Sequence, residues 1–410
     1  MRSFFKVKTP EDVFKSLKDI EPLGTESVPI TGALSRVLAE DSISDEDLPG
    51  FQRSAMDGYA LAAKDSFGAS ENLPTPLNIV GEVTMGEMPR FGLHRGECAQ
   101  ISTGGMLPKG ADAVVMVEYT QMVEVGLVEI SRPVSPLENV ILPDDDVKKG
   151  QVVLHKGSLL RPQDLGILAG LGIGMVDVFT RPKAAIISTG EEIVDISKKP
   201  EAGQMRDINS YTLGGLCIKA GVEPIYCGII RDRFEDLTLF IEKGISQADV
   251  VLLSGGSSVG VKDFTLDAFL SLDGVEVVAH GVSISPGKPT VIARKENKTL
   301  WGLPGHPVSA MIIFDIFLKY LFGKLVGLTN LAEYNSHAIE AELDRNIESA
   351  TGREDYIRVK LSHGEGRWFA IPILGKSGLI STMVEADGIV TIDMNTEGLY
   401  KGETVKVRLF

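Results

Sequence analysis

A chain of 410 residues, 43% hydrophobic and 24% charged, has room for roughly two to four domains and can bury a core without disulfides. Its net charge of −15 and pI of about 5.0 argue against broad nucleic-acid binding, which needs basic surface, but leave room for an anionic small molecule held by a local nest of N–H groups. No apolar run approaches the ~18–20 residues of a membrane span, the start MRSFFKVKTPEDVF has no apolar signal region, and Cys98, Cys217 and Cys227 lack C-x-x-C spacing, so inert thiols in a reducing cytoplasm are expected.

In chain order, Thr9 as N-cap, Pro10 in the first turn, and Val13, Leu17 and Ile20 at helical spacing predict a first helix. A second helix is expected over GALSRVLAED, residues 32–41. The stretch 47–61 is rich in turn residues. From about 75 to 156 the pattern turns to short strands bounded by Gly, Pro or charge: LNIVGEV, ECAQIS, ADAVVMVEY and the hairpin-like MVEVGLVEI. KKGQVVLHKGSLL reads as strand and turn, and RPQDLGILAGLG as a short glycine-weakened helix.

Residues 181–325 alternate strand and helix. AAIIST, PIYCGII, DVVLLSG and VEVVAHGVSI read as strands, TVIARKENKTLWGL as a hairpin, and HPVSAMIIFDIFLKYLFGKLVG as a long helix. Alternation of this kind predicts a doubly wound, mostly parallel α/β sheet. YIRVKL and ETVKVRL alternate apolar and polar residues near the end of the chain, which predicts a small barrel or sandwich.

A buried strand, DVVLLS, runs into SGGSSVG, where Gly255, Gly256 and Gly260 precede Lys262 and Asp263. In an open α/β sheet, ligands bind beyond the carboxyl ends of strands. Glycines let the backbone approach a ligand, and the next helix offers free N–H groups to an anion. The plainer alternative is a tight strand-to-helix connection. Four further loops belong to the same edge: ISTGEEI with Glu192, IIRDRFED with Asp232, SISPGKPT with Lys288, and GLPGHPVSA with Pro304 and His306. Asp232 and His306 could merely cap helices, and Lys288 could be solvated. Carboxylates beside phosphate-cradling loops suit Mg²⁺.

Taken together and in order, SAMDGYA, ISTGGMLPKGADAVVMVE, ISTGEEIV, NSYTL, LLSGGSSVG, PGKPT and GLPGHPVSA resemble the MoeA family of molybdopterin molybdenumtransferases, which includes the E-domain of gephyrin. The resemblance spans essentially the whole chain. It implies a homodimer of four-domain subunits: domain I (1–48 and 147–180), a β-rich inserted domain II (49–146), a MogA-like α/β domain III (181–329) and a C-terminal β-barrel, domain IV (330–410). It implies insertion of molybdate into adenylylated molybdopterin with Mg²⁺-dependent release of AMP. The site would lie between domain III of one subunit and domain II of the other.

Residue by residue, the resemblance implies catalytic roles for Asp57, Thr103, Glu192, Asp232, Asp263 and Lys288. Glu192, Asp232 and Asp263 would hold the metal. Gly255, Gly256, Ser258, Asp146, Pro304, Arg353 and Ser377 would bind substrate, the last two near the molybdate pocket. Asp57 could instead cap a turn and Arg353 pair a surface carboxylate. A MogA-like adenylyltransferase is an implied partner; nucleic acid and membrane are not.

The sequence also departs from the family pattern. Ser285 stands where a lysine is frequent, the run Val140–Asp146 lacks the usual Arg and Gly, His306 replaces Asn, and Ser257 replaces Val. A non-catalytic pterin-binding or scaffold paralogue, and a tungstate-preferring transferase, are the alternative readings. A free-standing nucleotide-binding adenylyltransferase is disfavoured by the β-rich regions at both ends. The surviving carboxylates favour catalysis.

Overall fold

The computed structural model of the chain describes residues 7–255, 264–331, 338–364 and 366–410. It divides into two compact units: Asp41–His155 with Pro162–Gly174, and Met1–Glu40, Lys156–Arg161 and Met175–Phe410.

The second unit is built on a six-stranded sheet. Its order is Glu223–Ile230, Lys183–Thr189, Val250–Ser254, Lys298–Leu303, Val291–Lys295, Glu276–His280. The first four strands run parallel and the last two join antiparallel. Every residue of Val250–Ser254 is buried, as expected for a central parallel strand covered on both faces. The two-residue period divides neighbours between two cores. Ala184, Ile186, Val250 and Leu252 pack with Leu213 and Ile313. Ala185, Ile187, Val251 and Leu253 pack with Leu237, Ile241 and Phe269.

Thr9 caps the first helix, Pro10–Leu17, by accepting the Asp12 N–H at 3.1 Å, and Val13 and Leu17 bury its inner face. The long helix is α-helical over Pro307–Ile313 and Lys319–Leu325, with a π-helical turn, Phe314–Leu318, between them. That turn buries Asp315, which is held by Lys319 and by Arg408 at 2.8 Å. The C-terminal strands close on themselves. Glu354–Gly364 pairs with Arg367–Pro372, then follow Ala338–Leu343, Thr404–Leu409 and Gly388–Ile392, which returns to Glu354–Gly364. The barrel form of the C-terminal prediction therefore holds. Ile284–Ser285, leaving the α/β sheet, adds a short parallel rung to Glu354–Asp355.

The smaller unit carries a six-stranded sheet ordered Ala113–Met116, Gly58–Leu61, Glu97–Ile101, Thr75–Val83, Leu127–Ile130, Thr120–Glu124. The hairpin expected from MVEVGLVEI is its Thr120–Glu124/Leu127–Ile130 edge.

The predicted helix over 32–41 is absent. A 3₁₀ turn covers Ile30–Gly32, a further turn follows at Leu34–Ser35, where Ser35 has φ +59°, and Val37 and Leu38 make single β-bridges to Leu159 and Val178. The segment's N–H groups bond elsewhere: Ser35 to Leu160 at 2.9 Å, Leu38 to Ser158 at 3.0 Å and Ala39 to Asp177 at 2.9 Å. Arg36 is buried, donating to Glu26 and to the Phe179 carbonyl. Long-range pairing overrides a helical pattern that local propensity only weakly favours. No helix among the described residues is long and apolar enough to cross a membrane.

Candidate functional site

A cavity of about 610 Å³ opens at the carboxyl ends of the parallel strands. Glu192, Gly255, Pro289, Pro304 and His306 line it, so four of the five predicted loops reach one place. Connectivity is the reason: parallel strands deliver their following loops to a single edge. Gly255 has φ +112°, and a Cβ there would meet the Thr189 carbonyl at 2.0 Å, so the chain crosses itself at a point only glycine fits.

The remaining expected residues of this edge fall differently. Lys288 is exposed and is not part of the cavity wall; its carbonyl accepts from Val282 and Thr290. Asp232 is half-buried just beyond Glu223–Ile230, the outermost strand, and does not line the cavity either. Gly256, Ser258, Lys262 and Asp263 lie outside the described residues.

The floor holds polar groups that sequence reasoning missed. Asp207 is buried and accepts from Ser188 Oγ and the Ser210 N–H, both at 3.0 Å. Its position three residues before Ser210 has the spacing of a helix cap, which was the available signal. Asn209 opens the helix Asn209–Lys219 and donates from Nδ2 to Ser254 Oγ at 2.5 Å and to the Gly305 carbonyl at 2.9 Å. Arg206 is anchored through Nε to the carbonyls of Ile196 and Lys198, both at 3.0 Å, and reaches the cavity wall.

The barrel contributes a loop to the same place. Gly378 lines the cavity, and Ser377 Oγ lies 2.8 Å from His306 Nδ1. Arg353 is not among the residues lining the cavity; its Nε sits 3.0 Å from Asp355 Oδ1, and its side chain is 44% exposed. Five residues on, Arg358 is buried. It donates from Nη2 to the Gly375 carbonyl at 2.8 Å, while Nε and Nη1 have no hydrogen-bond partner among the described residues. Burial pulls its pKa below the ordinary arginine value. A buried guanidinium with two nitrogens unpaired among the described residues is chemically suited to an anion, although Arg358 is not among the residues lining the cavity.

In the smaller unit, Asp57 precedes the strand Gly58–Leu61. Its Oδ1 accepts from the Thr103 N–H at 2.6 Å and from Thr103 Oγ1 at 2.9 Å. The backbone bond first, and then the hydroxyl, hold this carboxyl below its usual range. Gly58 is forced beside it, since a Cβ would sit 1.9 Å from the Val115 carbonyl. Asp146 is exposed, its N–H bonded to the Leu48 carbonyl at 3.1 Å. Burial pushes the Cys98 and Cys217 thiols up to about 12, which makes them unreactive.

Three family models match the chain in succession: the MoeA N-terminal region, domains I and II, over residues 8–172; a probable molybdopterin binding domain over 185–323; and the MoeA C-terminal region, domain IV, over 340–410. A molybdopterin molybdenumtransferase of Haemophilus influenzae is 34% identical, with 95% of each chain covered. One from Bacillus subtilis is 31% identical over 94% of this chain and 90% of its own. A crystal structure of a molybdopterin biosynthesis MoeA protein from Pyrococcus horikoshii OT3 superposes with a TM-score of 0.85 at 33% identity, covering 99% of this chain and all of that one. With matches along its whole length in sequence and in structure, the chain belongs to the MoeA family.

Proposed function

We propose that this protein is a molybdopterin molybdenumtransferase of molybdenum cofactor biosynthesis, which inserts molybdate into adenylylated molybdopterin and releases AMP. The carrying observation is that one unit joins a strand-end cavity to a barrel loop, through His306 and Ser377, and that Arg358, on a barrel strand, bonds the same loop at Gly375 and keeps Nε and Nη1 unused among the described residues. The first element suits a nucleotide-linked phosphate and the second a tetrahedral oxyanion.

Breaking a phosphoric anhydride requires neutralised phosphate oxygens and a positioned attacking oxygen. Loop amides at Gly255 and the rim lysine, Lys288, supply donors for the phosphates. Arg358 and Ser377 supply donors for molybdate, so Arg358 takes the role first expected of Arg353. Asp57, ionised at neutral pH and fixed by Thr103, can accept a hydrogen bond or a proton from substrate.

The oxygen donors fit Mg²⁺. Glu192 and Asp207 place carboxylates on the cavity wall, and among the described residues no three His, Cys, Asp or Glu side chains converge. Mg²⁺ commonly takes one or two carboxylates and leaves its other positions to water and substrate phosphates. Glu192 would hold it, with Asp263 and Asp232 as the further ligands proposed from the sequence. When bound, the ion offsets charge on the pyrophosphate oxygens. A cytoplasmic homodimer, the four-domain division and a MogA-like supplier of substrate belong to the same reading.

The test is to incubate the purified protein with adenylylated molybdopterin, Mg²⁺ and either molybdate or tungstate, and to follow AMP by chromatography. AMP release that depends on the oxyanion and on Mg²⁺ is expected. No AMP under any condition, with the substrate still bound, would leave a pterin-binding scaffold instead. Faster release with tungstate would change the assigned metal.

A further inference from the structure

Two oxygens on the floor of the strand-end cavity have no hydrogen-bond partner among the described residues, although both are buried: Thr189 Oγ1 and Asn209 Oδ1. Their residues are 2% and 7% exposed, and both line the cavity. A buried polar atom without a partner costs roughly 1–3 kcal/mol, so two from residues lining one cavity call for an explanation.

The amide of Asn209 cannot turn to relieve this. Its Nδ2 is committed to Ser254 Oγ and to the Gly305 carbonyl. A flip would point Oδ1 at that carbonyl, oxygen against oxygen. Oδ1 is therefore a fixed acceptor. Ser254 Oγ accepts from Asn209, which leaves its own hydroxyl hydrogen to donate. Thr189 Oγ1, at the end of the adjacent strand, can do either. The neighbouring Ser188, Asp207 and Ser210 are bonded to one another.

We propose that Thr189 and Asn209 read a neutral N–H or O–H donor of the substrate, with Asn209 Oδ1 as the obligate acceptor and Thr189 Oγ1 as a second group of the same cavity. The proposal rests on the reading of this cavity as the site for adenylylated pterin. That substrate has two sources of such a donor: the ribose hydroxyls of its nucleotide half and the amino-pyrimidinone edge of its pterin half. A site that hydrogen-bonds a substrate donor rejects analogues lacking it, because its own buried groups are then left unpaired.

Thr189→Val tests this. The change keeps the shape and removes only a hydroxyl that bonds nothing among the described residues. Thermal melting of the ligand-free variant should match or exceed that of wild type. Calorimetric titration with AMP and, separately, with 6-hydroxymethylpterin should show about a five- to tenfold weaker Kd for one probe, with Thr189→Ser restoring it. If AMP is the affected probe, 2′-deoxy-AMP or 3′-deoxy-AMP should bind wild type as weakly as AMP binds the variant, which assigns the ribose. If the pterin is affected, its edge is the source.

Unchanged affinity for both probes would overturn the proposal while leaving the cavity's function intact. A variant melting well below wild type would overturn it by showing a structural bond at Thr189. If Mg²⁺ alone stabilises wild type but not Thr189→Val, the oxygens serve a cation and the proposal fails. If wild type binds neither probe, the reading of the cavity fails, and the proposal with it.

Discussion

His306 Nδ1 and Ser377 Oγ are 2.8 Å apart, and the Ser377 carbonyl accepts the Val308 N–H at 3.2 Å. These two bonds fasten the barrel loop to the start of the long helix, beside the cavity. Ser377→Ala removes only the side-chain bond, so stability should change by less than about 1 kcal/mol. The apparent KM for molybdate should rise roughly three- to tenfold with kcat nearly unchanged, since a binding contact is lost rather than one made only in the transition state. Steady-state kinetics against molybdate decide this; an unaltered KM would take the hydroxyl out of the oxyanion's reach.

Arg358→Met exchanges a buried charge for an apolar side chain of similar length. Such exchanges commonly leave stability within a few kcal/mol, in either direction. AMP release should nevertheless fall by at least about 10²-fold, because two charged donors disappear from the oxyanion's surroundings. Arg353→Met should cost little activity, as that side chain pairs with Asp355. Equal losses from the two variants would undo the assignment of Arg358 over Arg353.

Asp57 titrates below the ordinary carboxylate range because Thr103 donates to its ionised form. A folded-state pKa below the unfolded one means the interaction contributes fully above the ordinary range. It is lost as pH falls through the depressed value. Thr103→Val keeps the backbone bond and loses the hydroxyl bond, so the Asp57 pKa should rise part of the way back. Carbon-13 NMR titration of the carboxyl carbon reads this directly, and no upward shift would mean the hydroxyl does not matter.

Glu192 and Asp232 were expected to act together on a metal, but only Glu192 lines the cavity. Glu192→Gln should slow AMP release on the order of 10²-fold and raise the Mg²⁺ concentration needed for half-maximal rate. Asp232→Asn should do less of both. Measuring rate against Mg²⁺ for the two variants separates them; identical profiles would put Asp232 back beside Glu192.

The alternation of strand and helix was legible because its cause is local: Ala184 to Ile187 and Val250 to Leu253 carry unbroken apolar runs that only a sheet covered on both faces can bury. The convergence of distant loops followed from that connectivity alone. The segment 32–41 was misread because its hydrogen-bond partners, Leu160 and Asp177, are far away in the chain. Arg358 was invisible for a related reason. It sits in an alternating strand where a charge normally faces water, and only the loop at Gly375 shows that it is enclosed. Asn209 was only the first letter of NSYTL until the partners of its amide nitrogen showed which way its oxygen must point.

The rung formed by Ile284–Ser285 on Glu354–Asp355 has a mechanical meaning. The barrel strand that carries Arg358 also grips the stretch leading into Pro286, Gly287 and Lys288. A rotation of the barrel against the α/β sheet would therefore drag the rim lysine's loop along with the buried guanidinium, and the two parts proposed to hold anions would travel as one lever. Hydrogen exchange at Ile284 and at Asp355 should then slow together when substrate binds, even though neither residue lines the cavity.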